Sequence, residues 1–108
     1  MLVRAAAAEL PRVGLPEALA ICLLLLDTEP HCYPPAAARW AARFVLENPG
    51  VGVEEAQLAL SSLAALPGAG WAGGAEALVA LCKLRSVDRA AEVLDLWAER
   101  RRATRVRE

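Results

Sequence analysis

The sequence predicts a single all-α domain, a compact bundle of about five helices in antiparallel hairpins around an apolar central helix. Three observations carry this expectation. Apolar residues recur at i, i+3, i+4 and i+7 in successive stretches, and no stretch alternates as a strand does. Prolines and glycines fall between those stretches, where helices must stop and restart. Hydrophobic residues make up 56% of the 108 residues, yet only Tyr33, Trp40, Phe44, Trp71 and Trp97 are aromatic. Much of the apolar content is alanine, which suits closely packed helices with a few large plugs.

Taken in order, residues 2–10 read as an optional short Ala-rich helix stopped by Pro11. Arg12, Val13 and Gly14 form a connector, with Leu15 as a staple residue before the next helix. Residues 16–26 then form the central helix. Pro16 gives up an N–H that would be unpaired in a first turn, and Glu17 favours the positive end of the helix dipole. From Ala18 to Leu26 no side chain is polar, so the helix is expected to be covered on nearly all sides. On that reading either Leu24→Asp or Leu25→Asp buries an unpaired charge and unfolds the protein. Pro30 ends this stretch, and His31, Cys32 and Tyr33 read as a loop.

Pro34 and Pro35 open the next helix, which runs to about Asn48 with Ala37, Trp40, Ala41, Phe44 and Val45 as its core stripe. Asn48, Pro49 and Gly50 stop it. Residues 53–66 form a third helix with Ala56, Ala59, Leu60, Leu63 and Leu66 inward. Residues 67–74, rich in glycine, read as a flexible loop carrying Trp71. A fourth helix covers about residues 75–85, with Leu78, Leu81 and Cys82 inward. Ser86 reads as the N-cap of a last helix over about residues 87–102, with Ala90, Val93, Leu94 and Trp97 as its stripe. The single helical domain thus spans residues 1–102, and residues 103–108 form a polar C-terminal tail. Trp40, Phe44, Leu60, Leu63, Leu94 and Trp97 are expected to share the core. A repeat-like echo links Glu17, Ala18, Leu19 and Cys22 with Glu76, Ala77, Leu78 and Cys82. A second echo links Trp40, Ala41 and Arg43 with Trp97, Ala98 and Arg100.

Net charge is −1, but it is unevenly placed. Residues 1–82 carry four basic and eight acidic side chains, net −4, and residues 83–108 carry eight basic and five acidic, net +3. An acidic body gives no global attraction to nucleic acid or anionic membranes. The apolar stretch of residues 16–26 is too short to cross a bilayer, which takes about 20 apolar residues. The N-terminus lacks a signal-peptide pattern, and three cysteines without a C-x-x-C pair suit a reducing compartment. The expected location is cytoplasmic.

No catalytic, cofactor-binding or metal-ligating constellation stands out, and the chain reads as non-enzymatic. His31 with Cys22, Cys32 and Cys82 would make a zinc set only if two mid-helix cysteines turned toward one point, so they read as core thiols. By that reading the purified protein holds no stoichiometric zinc, and Cys32→Ser and His31→Ala leave folding intact. The glycines after Leu66 lack the following Lys-Ser/Thr of a phosphate loop. What remains for partners is Trp71, a large aromatic in a loop, and the last helix, with Leu96, Trp97 and the cluster Arg100, Arg101 and Arg102, extended by Arg105 and Arg107.

Leu23 to Pro30, then Ala37 to Phe44, then Glu54 to Leu60 together resemble small uncharacterised all-helical proteins of high-GC actinobacteria. The resemblance implies a bacterial, cytoplasmic, all-α protein and no particular activity. The function expected is a helical protein-interaction module that pairs with a protein partner or with itself. A homodimer through the last helix is preferred, with no membrane and no small-molecule substrate. The alternative is a nucleic-acid-associated protein using its Arg-rich C-terminus.

Overall fold

A computed structural model describes the backbone of residues 13–107 and side chains as far as Thr104. The optional helix over residues 2–10 and the side chains of Arg105 and Arg107 lie outside the described residues. Five α-helices and one 3-10 turn account for the fold: α1 (Leu15–Thr28), the turn Pro30–Cys32, α2 (Tyr33–Glu47), α3 (Val53–Ala65), α4 (Trp71–Leu84) and α5 (Asp88–Arg107). No strand occurs among the described residues.

Each helix approaches its neighbours in the chain, and α5 returns to α1, so the five close into a ring. Side chains fix the sense of each pair. The Tyr33 hydroxyl at the start of α2 donates to the Leu63 carbonyl near the end of α3 over 2.7 Å. That carbonyl belongs to the last turn of its helix and accepts from the Leu66 N–H as well, over 3.2 Å. Arg85, just after α4, forms a bidentate ion pair with Glu55 at the start of α3. Trp71 at the start of α4 meets Trp97 at the middle of α5 and Arg101 and Arg102 beyond it. All three pairings are antiparallel. Between α5 and α1 the order differs, because Arg89 pairs with Glu17 and Arg101 approaches Asp27. These two helices run parallel.

The core lies where the helices face one another. Leu19, Phe44, Ala59, Leu66, Leu78, Cys82, Ala90 and Leu94 have no exposed surface. Trp40 stacks on Phe44 and donates its indole N–H to the Leu15 carbonyl over 2.9 Å, which satisfies the one polar group of a buried ring. Both echoes noted in the sequence fall on core positions: Leu19 and Leu78, Cys22 and Cys82, Trp40 and Trp97, Ala41 and Ala98 are all buried.

Several expectations need correction. Helix α1 begins at Leu15, which is itself buried, and it takes a place in the ring with α2 and α5 on its flanks. It is therefore not covered all round, since Ala20 is exposed and Leu24 is 44% exposed. Leu60 is 48% exposed and leaves the expected core, while Ser62 is buried in its stead. The reason is the approach of α4. A Cβ on Gly74 would lie 2.7 Å from the Ser62 carbonyl oxygen and 2.9 Å from the Ala65 Cβ, so the two backbones meet where side chains are smallest.

That contact also explains why residues 71–74 are helical where a loop was expected. Burial of Trp71 and the close fit of Gly74 outweigh the low helix propensity of glycine, about 1 kcal/mol per residue. Residues 31–33 likewise form a 3-10 turn and the first residue of α2.

Ser86 is not an N-cap. Its φ of 61° is left-handed, the Val87 N–H bonds the Cys82 carbonyl, and the Ser86 N–H bonds the Lys83 carbonyl. This is the Schellman ending of α4, with Ser86 where glycine is usual and Val87 packed back on the core. Helix α5 also continues past Arg102 to Arg107.

The exposure pattern of α1 separates two neighbouring leucines. Leu25→Asp places an unpaired charge at a site 1% exposed and is expected to abolish the cooperative thermal transition. Leu24→Asp should retain it, with a loss of no more than about 1 kcal/mol. Circular dichroism melting of the two variants checks this, and equal damage from both would contradict the placement of α1.

Candidate functional site

Of the six residues singled out for partner binding, the fold gathers four. Trp71 opens α4, and Trp97 lies about one helical turn before the adjacent pair Arg101 and Arg102 on α5. The two indoles meet edge to face with centroids 5.7 Å apart and planes at 89°. Such pairs add about 0.5–1.5 kcal/mol beyond area burial. The Arg101 guanidinium lies over both rings, 5.4 Å from the Trp71 centroid and 5.1 Å from that of Trp97. Arg102 covers Trp71 from 5.7 Å.

Arg101 also completes the end of α1. The last turn of that helix carries no basic residue, and Asp27 places a negative charge there, where the dipole disfavours it. Arg101 supplies the missing cation from α5, its Nη1 lying 3.9 Å from Asp27 Oδ1. Its Nε is buried without a hydrogen-bond partner among the described residues. The side chain is therefore held by ring faces and charge, and it ties α1, α4 and α5 at one end of the bundle.

The placement changes what these residues offer a partner. Trp71 and Trp97 are 5% and 3% exposed, so neither projects as an anchor. Leu96 is 56% exposed, but Glu92, Glu99 and Arg100 surround it on the helix surface. Arg100 and Arg102 are exposed. A dimer seam along α5 would have to form without Trp97, which lies in the core as expected.

A different surface is only partly legible in the sequence, where Leu58, Ala64 and Ala65 stand beyond the expected stripe of the third helix. Helix α3 approaches only α2 and α4, and its outer side shows Val53 (74% exposed), Gln57, Leu60 and Ala64 in one stripe, with Leu58 beside it. No charged residue occurs in residues 56–75. An exposed helix face normally carries charge. The signal was present in the sequence as that uncharged run, but assigning Leu60 to the core concealed it.

The zinc set weighed from sequence is not assembled, because Cys22 and Cys82 lie outside any convergent group of ligating side chains among the described residues. Both are buried in helices, and desolvation raises the Cys22 thiol to about 11 and the Cys82 thiol to about 12. Cys32 is buried at the turn, with Glu29 and His31 beside it. No membrane-crossing helix occurs among the described residues. The chain matches no protein-family model, no curated protein and no solved structure.

Two outcomes follow from this chemistry. Arg101→Ala should cost about 2 kcal/mol, the sum of two ring contacts and the lost partner of Asp27, whereas Arg100→Ala should stay within about 0.5 kcal/mol. Urea denaturation compares them, and equal midpoints would remove Arg101 from its tying role.

The buried thiols contribute to the loss of stability at alkaline pH, alongside the Tyr33 phenol, which burial also raises. A thiol pKa raised in the fold leaves stability intact below the unfolded value of 9.0 and removes it as pH climbs toward about 11 for Cys22 and about 12 for Cys82. One pH unit above the unfolded value, each thiol should cost about 1 kcal/mol. Urea midpoints at neutral and at alkaline pH, repeated on Cys22→Ala and Cys82→Ala, measure that loss. An alkaline loss undiminished in both variants would contradict the assignment.

Proposed function

We propose that this protein is a non-enzymatic helical interaction module that pairs with a second copy of itself through the outer face of α3. The observation that carries the reading is the exposed apolar pair Leu60 and Ala64, flanked by Leu58, in a stretch without charge from residue 56 to residue 75, which Val53 extends toward the start of the helix. A face lacking charge meets its own copy about a twofold axis without like-charge repulsion. Small exposed residues on that helix, Ser61 and Ala64, let two backbones approach closely. Cytoplasm is the compartment this reading expects, since all three cysteines are thiols outside disulfides.

The second reading, nucleic-acid association, has Arg100 and Arg102 exposed near the end of α5 in its favour. Against it, Arg101 is held by two indoles and Asp27, and Glu92, Asp95 and Glu99 share the same helix.

Light scattering coupled to size exclusion at micromolar concentration should give twice the chain mass, falling to one chain mass in a Val53→Glu, Leu60→Glu double variant whose helicity is unchanged. A wild-type monomer would overturn the dimer. A gel shift at low salt that fades as salt rises would favour the nucleic-acid reading instead.

A further inference from the structure

We propose that Glu29, His31 and Cys32 form a three-ligand site for a late first-row divalent cation, zinc in the first instance, at the corner between α1 and α2. Their ligating atoms all lie within 4.8 Å of one another, and no other group of this kind occurs among the described residues.

Backbone geometry brings them together. Glu29 ends α1 with φ −139° and ψ 71°, Pro30 opens the 3-10 turn, and the Cys32 N–H donates to the Glu29 carbonyl over 2.8 Å. In a 3-10 helix residues i and i+3 eclipse. The Cys32 thiol accordingly stands over the Glu29 carboxylate, with Sγ 4.0 Å from Oε1, to which it donates a weak hydrogen bond. His31 is exposed beside them, with a ring nitrogen within 4.8 Å of both the thiol and the carboxylate.

The donor set is one thiolate, one imidazole and one carboxylate. That mixture of soft and hard ligands suits zinc, whose bonds to S, N and O are about 2.0–2.3 Å. A tetrahedral shell with such bonds spaces its donors about 3.5 Å apart, so the three groups contract modestly on binding. Cys32 gives up its thiol proton to water as the metal–sulfur bond forms, and each ion bound releases one proton. Three protein ligands leave the fourth position to water on the exposed side of His31.

The sequence expectation of a protein without zinc rested on Cys22 and Cys82 as the necessary co-ligands. The turn replaces them with Glu29, which the sequence reading did not weigh. The site is independent of the α3 face, so the failure of either proposal leaves the other standing.

Cobalt(II) serves as the probe, added to chelator-treated full-length protein. A thiolate-to-cobalt charge-transfer band should grow to one equivalent and disappear in Cys32→Ser. Glu29→Gln and His31→Gln, both at positions away from the core, should each weaken cobalt binding at least tenfold, and zinc should displace the band in the wild type. Absence of the band overturns the site. So does a band whose affinity is unchanged in either Glu29→Gln or His31→Gln, because binding then needs fewer than the three ligands assigned.

Discussion

Five helices joined by short connections cannot close a ring with every neighbouring pair antiparallel. One pair must run parallel, and here it is α1 with α5. Their dipoles align, so this seam lacks the electrostatic complementarity that the four antiparallel pairs share. Opposite charges compensate at both ends. Glu17, in the first turn of α1, takes Arg89, and Asp27, in its last turn, takes Arg101. The Glu17–Arg89 pair is exposed on both sides and contributes little. The other end is reinforced, because Arg101 is also held between Trp71 and Trp97. Through those rings the closing seam depends on α4, although α4 does not touch α1.

This dependence gives the arginines of α5 unequal roles. Arginine suits the position of Arg101 because a planar guanidinium stacks on aromatic faces and is weakly hydrated. A lysine there would hold its charge as a strongly hydrated point and fit two indoles poorly. Arg100 and Arg102 are exposed, with Arg102 also reaching Trp71. The cluster that reads as one basic patch in the sequence is thus divided by the fold, one member closing the ring and its neighbours facing water.

Helix existence and type were legible throughout, because proline and glycine stops coincide with breaks in apolar periodicity. Most of the stripe of α2 was legible: Ala37, Trp40, Ala41 and Phe44 are buried and Val45 is partly so, while Tyr33 and Ala36, also buried, lie outside the expected stripe. Misreadings arose where small residues let backbones meet. Periodicity alone prefers Leu60 to Ser62 as a core residue, but the Gly74 contact selects the smaller side chain. Glycine content likewise made residues 71–74 look like a loop, and only the pairing of Trp71 with Trp97, distant in sequence, shows why they are helical. Of the candidate site, the gathering of Trp71, Trp97 and the arginines was half legible, since the residues were named but their burial was not. The nearness of Glu29 to Cys32 was hidden because eclipsing at i and i+3 belongs to a 3-10 turn, and those residues read as an irregular loop.

Ring order also bears on where a partner can act. Helix α3 stands opposite the α1–α5 seam, with α2 and α4 between, and it is the helix whose outer face lacks charge beyond Glu55. A partner covering Val53, Leu60 and Ala64 would touch neither the ion pairs nor the tryptophans that hold the ring closed. On the seam side the demands are opposite. A partner there would have to desolvate Glu17, Arg89 and Asp27, at a cost that an exposed pair does not repay. Closure thus rests on the charged side of the ring, and the uncharged outer side of α3 can be covered without disturbing those contacts.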